Sequence, residues 1–213
     1  MNSALREPCL DREVAAQILE SAIHSYSFPL VYFDFERGEE QSTKNIRELE
    51  EIIADMLHSH DPQVIRYGLA NILYWGHANA GYRMHRVETF LAKVTYEQIE
   101  AFQSLLAKDE VPTLKELRQL KMPQYSGISF LSKILAFLSP QTHAVLDLLL
   151  SRMATPEGSK AIDQLKVTTQ IVVTASNSAA YYRWCVECEK ISREIFSGKY
   201  RVDEIECLFS TIS

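Results

Sequence analysis

One carboxylate stands where a carboxylate is unfavourable. Asp147 lies in HAVLDLLL, residues 143–150, with apolar neighbours on both sides. An acid in such a run is paired, shifted in pKa, or functional. Twenty residues earlier, Gly127 sits in YSGIS, which has the shape of a turn joining two helices. Glycine there takes positive φ without a Cβ penalty. The amides of Ile128 and Ser129 would open the next helix, where unpaired N–H groups and the macrodipole can hold a phosphate. With Tyr125 and Ser126 they form a candidate grip on a nucleic-acid backbone, blind to sequence. Plainer readings stand beside these. Gly127 can be an ordinary helix corner, and Asp147 a helix N-terminal residue or a buried acid paired with Arg152 or His143.

A second cluster is NILYWGHANAGYRMHR, with Tyr74, Trp75, His77, Asn79, Tyr82, Arg83, His85 and Arg86. Aromatic rings beside Arg and Asn suit a pocket that stacks and reads a base. Trp75 keeps helical spacing with Leu69 and Ile72, which marks a core residue. Tyr82, Arg83 and Arg86, next to Gly81, are read as facing a ligand. Gly68 and Gly76 allow another helix, or a ligand, to approach closely. In FPLVYFDFE, Tyr32, Asp34 and Phe35 offer a wedge, with an N-terminal packing segment as the safer reading.

Cys185 and Cys188 form CxxC, with Cys207 and Cys9 apart from them. No second CxxC and no closely spaced set of four supports zinc or an iron–sulfur cluster, so buried thiols are expected. GxxxxGK[ST], HExxH and GxSxG are absent.

The chain has 213 residues and a net charge of −6. Its size allows one large domain, 1–213, or two lobes, 60–153 and 1–59 plus 154–213. The acidic total argues against nucleic acid, but binding needs only a local basic patch. From Ile65 to Lys133 nine Lys/Arg stand against six Asp/Glu. No run of about 18 apolar residues suggests a membrane span. The N-terminus lacks the pattern of a secretion signal. Four cysteines suit a reducing compartment, and a cytoplasmic protein is expected.

Apolar residues recur at helical spacing almost throughout, so the class is all-α with about ten helices. A helix is expected from Leu10 to Tyr26, then an extended piece at Val31–Phe35 bounded by Pro29 and Gly38. Ile46, Leu49, Ile53 and Leu57 are in register on a second helix. Asp61-Pro62 caps a third. Thr95 with Gln98 makes a capping box. Pro112-Thr113 opens the helix before the turn at Gly127. The β-branched VTTQIVVTA reads as a loop or short extended piece. SAAYYRWCVECEKISREIF is a strong helix, and RVDEIECLFSTI a short last one.

These elements carry a resemblance. Met122-Pro123, Ser126-Gly127-Ile128, the helix 129–138, the break Ser139-Pro140-Gln141-Thr142 and then Ala144-Val145-Leu146-Asp147 follow one another. That order resembles the helix-hairpin-helix DNA glycosylases, the superfamily of 8-oxoguanine glycosylases, over residues 60–153. The run SKILAFL…P…VLD with WCxxC downstream is similar to bacterial proteins that look like 8-oxoguanine DNA glycosylases.

The resemblance implies a helical bundle that acts as a monofunctional DNA glycosylase, hydrolysing the N-glycosidic bond of a base flipped from double-stranded DNA. Asp147 would stabilise positive charge on the sugar and orient water. No metal or other cofactor and no membrane partner is implied, and a monomer is expected. The base would be an oxidised or alkylated purine, or a hypermodified phage base excised in defence.

Bifunctional members carry a Lys where Leu131 stands here. Lys133 lies two positions further, about 200° round a helix. It enters as a second catalytic candidate, for Schiff-base lyase chemistry, ranked below a phosphate contact. Ser129 replaces the second hairpin glycine of many members. Two other classes compete. One is a non-enzymatic helical DNA- or protein-binding module. The other is a metal-using hydrolase built on His77, His85, His143 and Asp147.

Overall fold

The computed structural model describes Gln17, Ser21 and residues 28–212 without Asp109, Pro156 and Glu157. The helix expected at residues 10–26, apart from helical Gln17 and Ser21, and Cys9 lie outside the described residues. Among these, nine α-helices follow one short hairpin, so the fold is the expected all-α bundle with N-terminal strands.

Strands β1 (Val31–Asp34) and β2 (Glu39–Ser42) pair antiparallel, closed by Gly38 at φ +73. Asp34 stabilises that turn, accepting from the Glu36 and Arg37 amides at 3.0 Å each. Helices α1 (Ile46–Leu57) and α2 (Pro62–Gly76) come next. Leu49, Ile53 and Leu57 are buried on α1, as their spacing requires. Asp61 caps α2 through the Gln63 amide, with Pro62 in its first turn. Asn71, fully buried on α2, holds the hairpin. Its Oδ1 accepts from the Phe33 amide at 2.7 Å and its Nδ2 donates to the Phe33 carbonyl at 3.1 Å. Phe35 stacks on Tyr67, which places this segment in packing rather than in a wedge.

Helices α3 (Arg83–Lys93), α4 (Tyr96–Leu106) and α5 (Leu114–Gln119) follow, the last two opened by full capping boxes. Helix α6 (Ile128–Leu138) is the most buried of the helices near the turn, with Ile128, Leu131, Ile134 and Leu135 fully enclosed. A four-residue helix, α7 (Leu148–Ser151), begins at Asp147, and α8 (Ala175–Phe196) and α9 (Val202–Ile212) complete the order. The β-branched 167–172 segment bends back on itself at 168–170, with bridges of Val167 to Ile171 and of Val172 to Gly127. Buried Asn177 on α8 pins it by bonding the Lys166 amide and the Lys166 and Val172 carbonyls. No helix among the described residues is long and apolar enough to cross a membrane.

An ionic knot joins the two ends of the fold. Arg201, ahead of α9, donates to Glu50 on α1 and, at 2.8 Å, to Asp203. Glu204 of α9 bonds Arg47 of α1 at 2.8 Å. Burial and the hydrogen bond with Glu50 push the Asp203 carboxyl well above the carboxylate range. Arg201→Ala leaves these acids without their partner and should cost about 3 kcal/mol in urea unfolding. The proton on folded Asp203 is lost by the unfolded chain above about pH 4. Stability therefore falls as pH rises from there toward neutral, and Asp203→Asn should flatten that slope.

Candidate active site

Backbone bonds fix Asp147 from three sides before its own side chain acts. The Ala144 amide meets Cys185 Sγ at 3.5 Å, the Val145 carbonyl accepts from Trp184 Nε1 at 3.1 Å, and the Leu146 amide meets Ser132 Oγ at 3.1 Å. Helices α8 and α6 thus hold residues 144–146, and each bond satisfies a backbone group out of reach of water. Asp147 follows as the N-cap of α7, its Oδ1 accepting from the Leu149 and Leu150 amides at 2.9 and 3.1 Å. It is half-buried. No ion pair of Asp147 with Arg152 or His143 forms among the described residues. His143 instead bonds Thr142 at 2.8 Å and faces Tyr181 and Tyr182.

Lys133 departs from its expected direction. It does not reach outward to a phosphate but is 6% exposed inside α6. Its amine donates to the Ser129 carbonyl at 3.3 Å and lies 5.2 Å from the Phe130 ring centre. Its stem passes over Gly76, the last residue of α2. A Cβ there would stand 3.0 Å from Lys133 Cδ, 3.1 Å from Cε and 2.7 Å from Phe130 Cε1. Burial pushes the Lys133 pKa down, against the raising effect of Asp147 and Glu206. The lysine and the acid are thus electrostatic neighbours, joined across the break 139–146. Gly68 makes the other close approach foreseen, admitting Met56 and Leu57 of α1.

The phosphate grip needs correction. Tyr125 is fully buried and its hydroxyl donates to the Leu69 carbonyl at 2.5 Å, so it cannot reach a backbone. The Ile128 amide is occupied by the Ile171 carbonyl at 2.8 Å. Gly127 has φ −119, not a left-handed value. Glycine is needed there for room, since a Cβ would lie 3.1 Å from the Ile171 carbonyl oxygen. The left-handed residues of the turn are Lys121 (φ 51) and Gln124 (φ 69). Ser126 stays exposed, bonding Gln170 at 3.2 Å, and Ser129 stays half-buried.

The aromatic cluster splits in two. Tyr74 is buried, donates to Glu40 at 2.5 Å and lies under the Arg83 guanidinium at 3.5 Å. Arg83 also bonds Glu40 at 2.9 Å and the Tyr74 carbonyl at 2.8 Å. Both expected pocket residues therefore serve to hold the β2 strand. Trp75 is core, edge-on to Phe28 and Phe137. Tyr82 is 52% exposed, with Arg86 over its ring at 5.2 Å and Arg86 bonded to Gln124 at 3.1 Å. His77 joins this exposed group to the lysine, 4.6 Å from Phe130 and 5.5 Å from Tyr82.

Among the described residues no three His, Cys, Asp or Glu side chains gather to hold a metal, so the alternative metal site on His77, His85, His143 and Asp147 does not assemble. Burial pushes the Cys185 and Cys188 thiols up, as fits packing residues. Ser132, Trp184 and Cys185 were missed as supports of Asp147. WCxxC was visible, but nothing local connects it to residues forty positions earlier.

The family model described as "Putative 8-oxoguanine DNA glycosylase OGG-like protein" matches residues 47–209. The chain belongs to this family. No curated protein and no solved structure gives a match.

His77 supplies a test of the site's electrostatics. Burial, then the charges of Arg86 and Lys133, lower its pKa from 6.5 to about 4. An NMR titration should show this imidazole neutral at pH 6 and protonated only near pH 4. The unfolded chain takes its proton first, so the His77 contribution to stability is full above 6.5 and is lost as pH falls toward 4.

Proposed function

We propose that the chain is a DNA glycosylase that releases a damaged or modified base flipped from duplex DNA, with Asp147 and Lys133 as its reacting pair. The observation that carries this reading is a buried lysine amine on α6 and a half-buried carboxylate at the start of α7, held in place by the bonds of residues 144–146 to α6 and α8. A lysine out of water holds its proton less tightly, which favours the neutral amine that a nucleophile or Schiff base requires.

As the N-glycosidic bond breaks, its electron pair leaves with the base and positive charge spreads over C1′ and O4′ of the sugar. The Asp147 carboxylate offsets that charge, with Oδ1 fixed by the Leu149 and Leu150 amides and Oδ2 assigned to the sugar. The Lys133 nitrogen then bonds C1′, and its displaced proton passes to a base such as water. Ring opening then breaks the C1′–O4′ bond, the nitrogen lone pair forms the C=N bond and O4′ takes a proton from water, which gives the Schiff base of a lyase. The lowered proton affinity of the Lys133 amine favours this course, whereas its burial and the helical spacing from Leu131 favour direct attack by water. The group of Tyr82, Arg86 and Gln124 is assigned to the nucleic acid, with Ser126 on its backbone.

The base falls within the family's oxidised purines or the bulkier modified bases of phage DNA. The first would make it a repair enzyme and the second a defence enzyme, in either case proposed to act in the cytoplasm as a monomer. The competing reading is a helical module that binds DNA or protein without chemistry.

The test is mass spectrometry of bases released from duplexes carrying damaged or modified purines. Asn also caps helices, so Asp147→Asn should fold normally. Release should fall roughly 10²-fold or more while duplex binding persists. Unchanged release from Asp147→Asn removes Asp147 from the chemistry, and absence of release from every duplex with binding retained favours the module.

A further inference from the structure

We propose that Gly76 is a positioning residue for Lys133: the side chain it lacks is the slot in which the lysine stem lies, and so sets where the amine stands relative to Asp147. The inference rests on the glycosylase reading for its consequence, but the slot itself is geometry. Helix α2 ends at Gly76, where α6 packs on it, and the stem of Lys133 and the edge of the Phe130 ring both border the space that a Gly76 Cβ would fill. A methyl at position 76 would meet Phe130 Cε1 at 2.7 Å and the lysine stem at 3.0 and 3.1 Å. Comfortable carbon contacts lie at about 3.5–4.0 Å, so roughly an ångström must be given up.

The two neighbours yield differently. Phe130 turns about two torsions and is walled by His77, 4.6 Å away, and by Tyr125, 6.3 Å away, whose hydroxyl is tied to Leu69. Lys133 has four rotatable bonds and one bond at its tip, to the Ser129 carbonyl. The Phe130 edge must give at its 2.7 Å contact, and the flexible lysine stem, at 3.0 and 3.1 Å, is displaced with it. Gly68 on the same helix is the internal comparison. It has the same tightness, with a Cβ 2.9 Å from Met56 Cβ, but against α1 alone.

Two readouts follow, one independent of activity. Lysine-selective NMR of the full chain follows the Lys133 amine, whose titration lies below the ordinary lysine range because of burial. Gly76→Ala should shift it toward that range and slow base release roughly ten- to a hundred-fold per folded molecule, the scale of an ångström misplacement. Gly68→Ala should lower stability while leaving the amine titration and the release rate of the folded fraction unchanged. If Gly76→Ala does not fold, Phe130→Leu, which removes the opposite wall, should move the titration in the same direction.

An unmoved titration and rate in folded Gly76→Ala, or an unmoved titration in Phe130→Leu, overturns the slot. So does a Gly68→Ala protein whose amine shifts equally. If the amine moves as expected but the native chain releases no base, the slot stands and the glycosylase reading falls.

Discussion

The close packing of the Lys133 stem against Gly76 is the contact on which the proposed site depends. A lysine amine in a protein interior is tolerated only with compensation, because removing its charge from water is strongly unfavourable. Here compensation comes from the Ser129 carbonyl, the Phe130 ring face and the charges of Asp147 and Glu206. Those partners come from α6, from the start of α7 and from α9. The helices must therefore be packed before the amine has an environment at all. The small residue at the end of α2 lets α6 come close enough for this to happen.

Rigidity elsewhere serves the same end. The 144–146 segment carries no regular structure, yet its amides and carbonyl are bonded to Cys185, Ser132 and Trp184. Asp147 then begins α7 with its carboxylate held by two amides. On the far side, the Arg201 knot keeps α9 against α1, which keeps Glu206 within the field of Lys133. His77 and Phe130 connect this interior to the exposed Tyr82 and Arg86 and the half-buried Gln124.

Local chemistry in the chain read well. Asp61 and Thr95 cap the helices they were expected to cap, and Thr113 caps the helix expected to open there, because capping depends on a few consecutive residues. Trp75 lies in the core and Asp147 starts a helix, both legible from spacing. What failed depended on contacts across the fold. Tyr125 and Ile128 looked free for phosphate because nothing nearby announces Leu69 or Ile171 as their partners. Tyr74 and Arg83 looked like a base pocket because Glu40, their common partner, comes from a strand over thirty residues earlier. Lys133 was placed by its angle to Leu131, a measure that says where a side chain leaves the helix. It omits Gly76, which decides where a long stem can lie.

Reduction with borohydride during reaction on an excisable duplex tests the Lys133–Asp147 pair most directly. A Schiff base between C1′ and the amine becomes a stable secondary amine, and peptide mapping finds the residue that bears it. The adduct should fall on Lys133 and disappear in Lys133→Gln. An adduct on another residue, or base release that proceeds with no adduct at all, contradicts Lys133 as the group that takes the sugar.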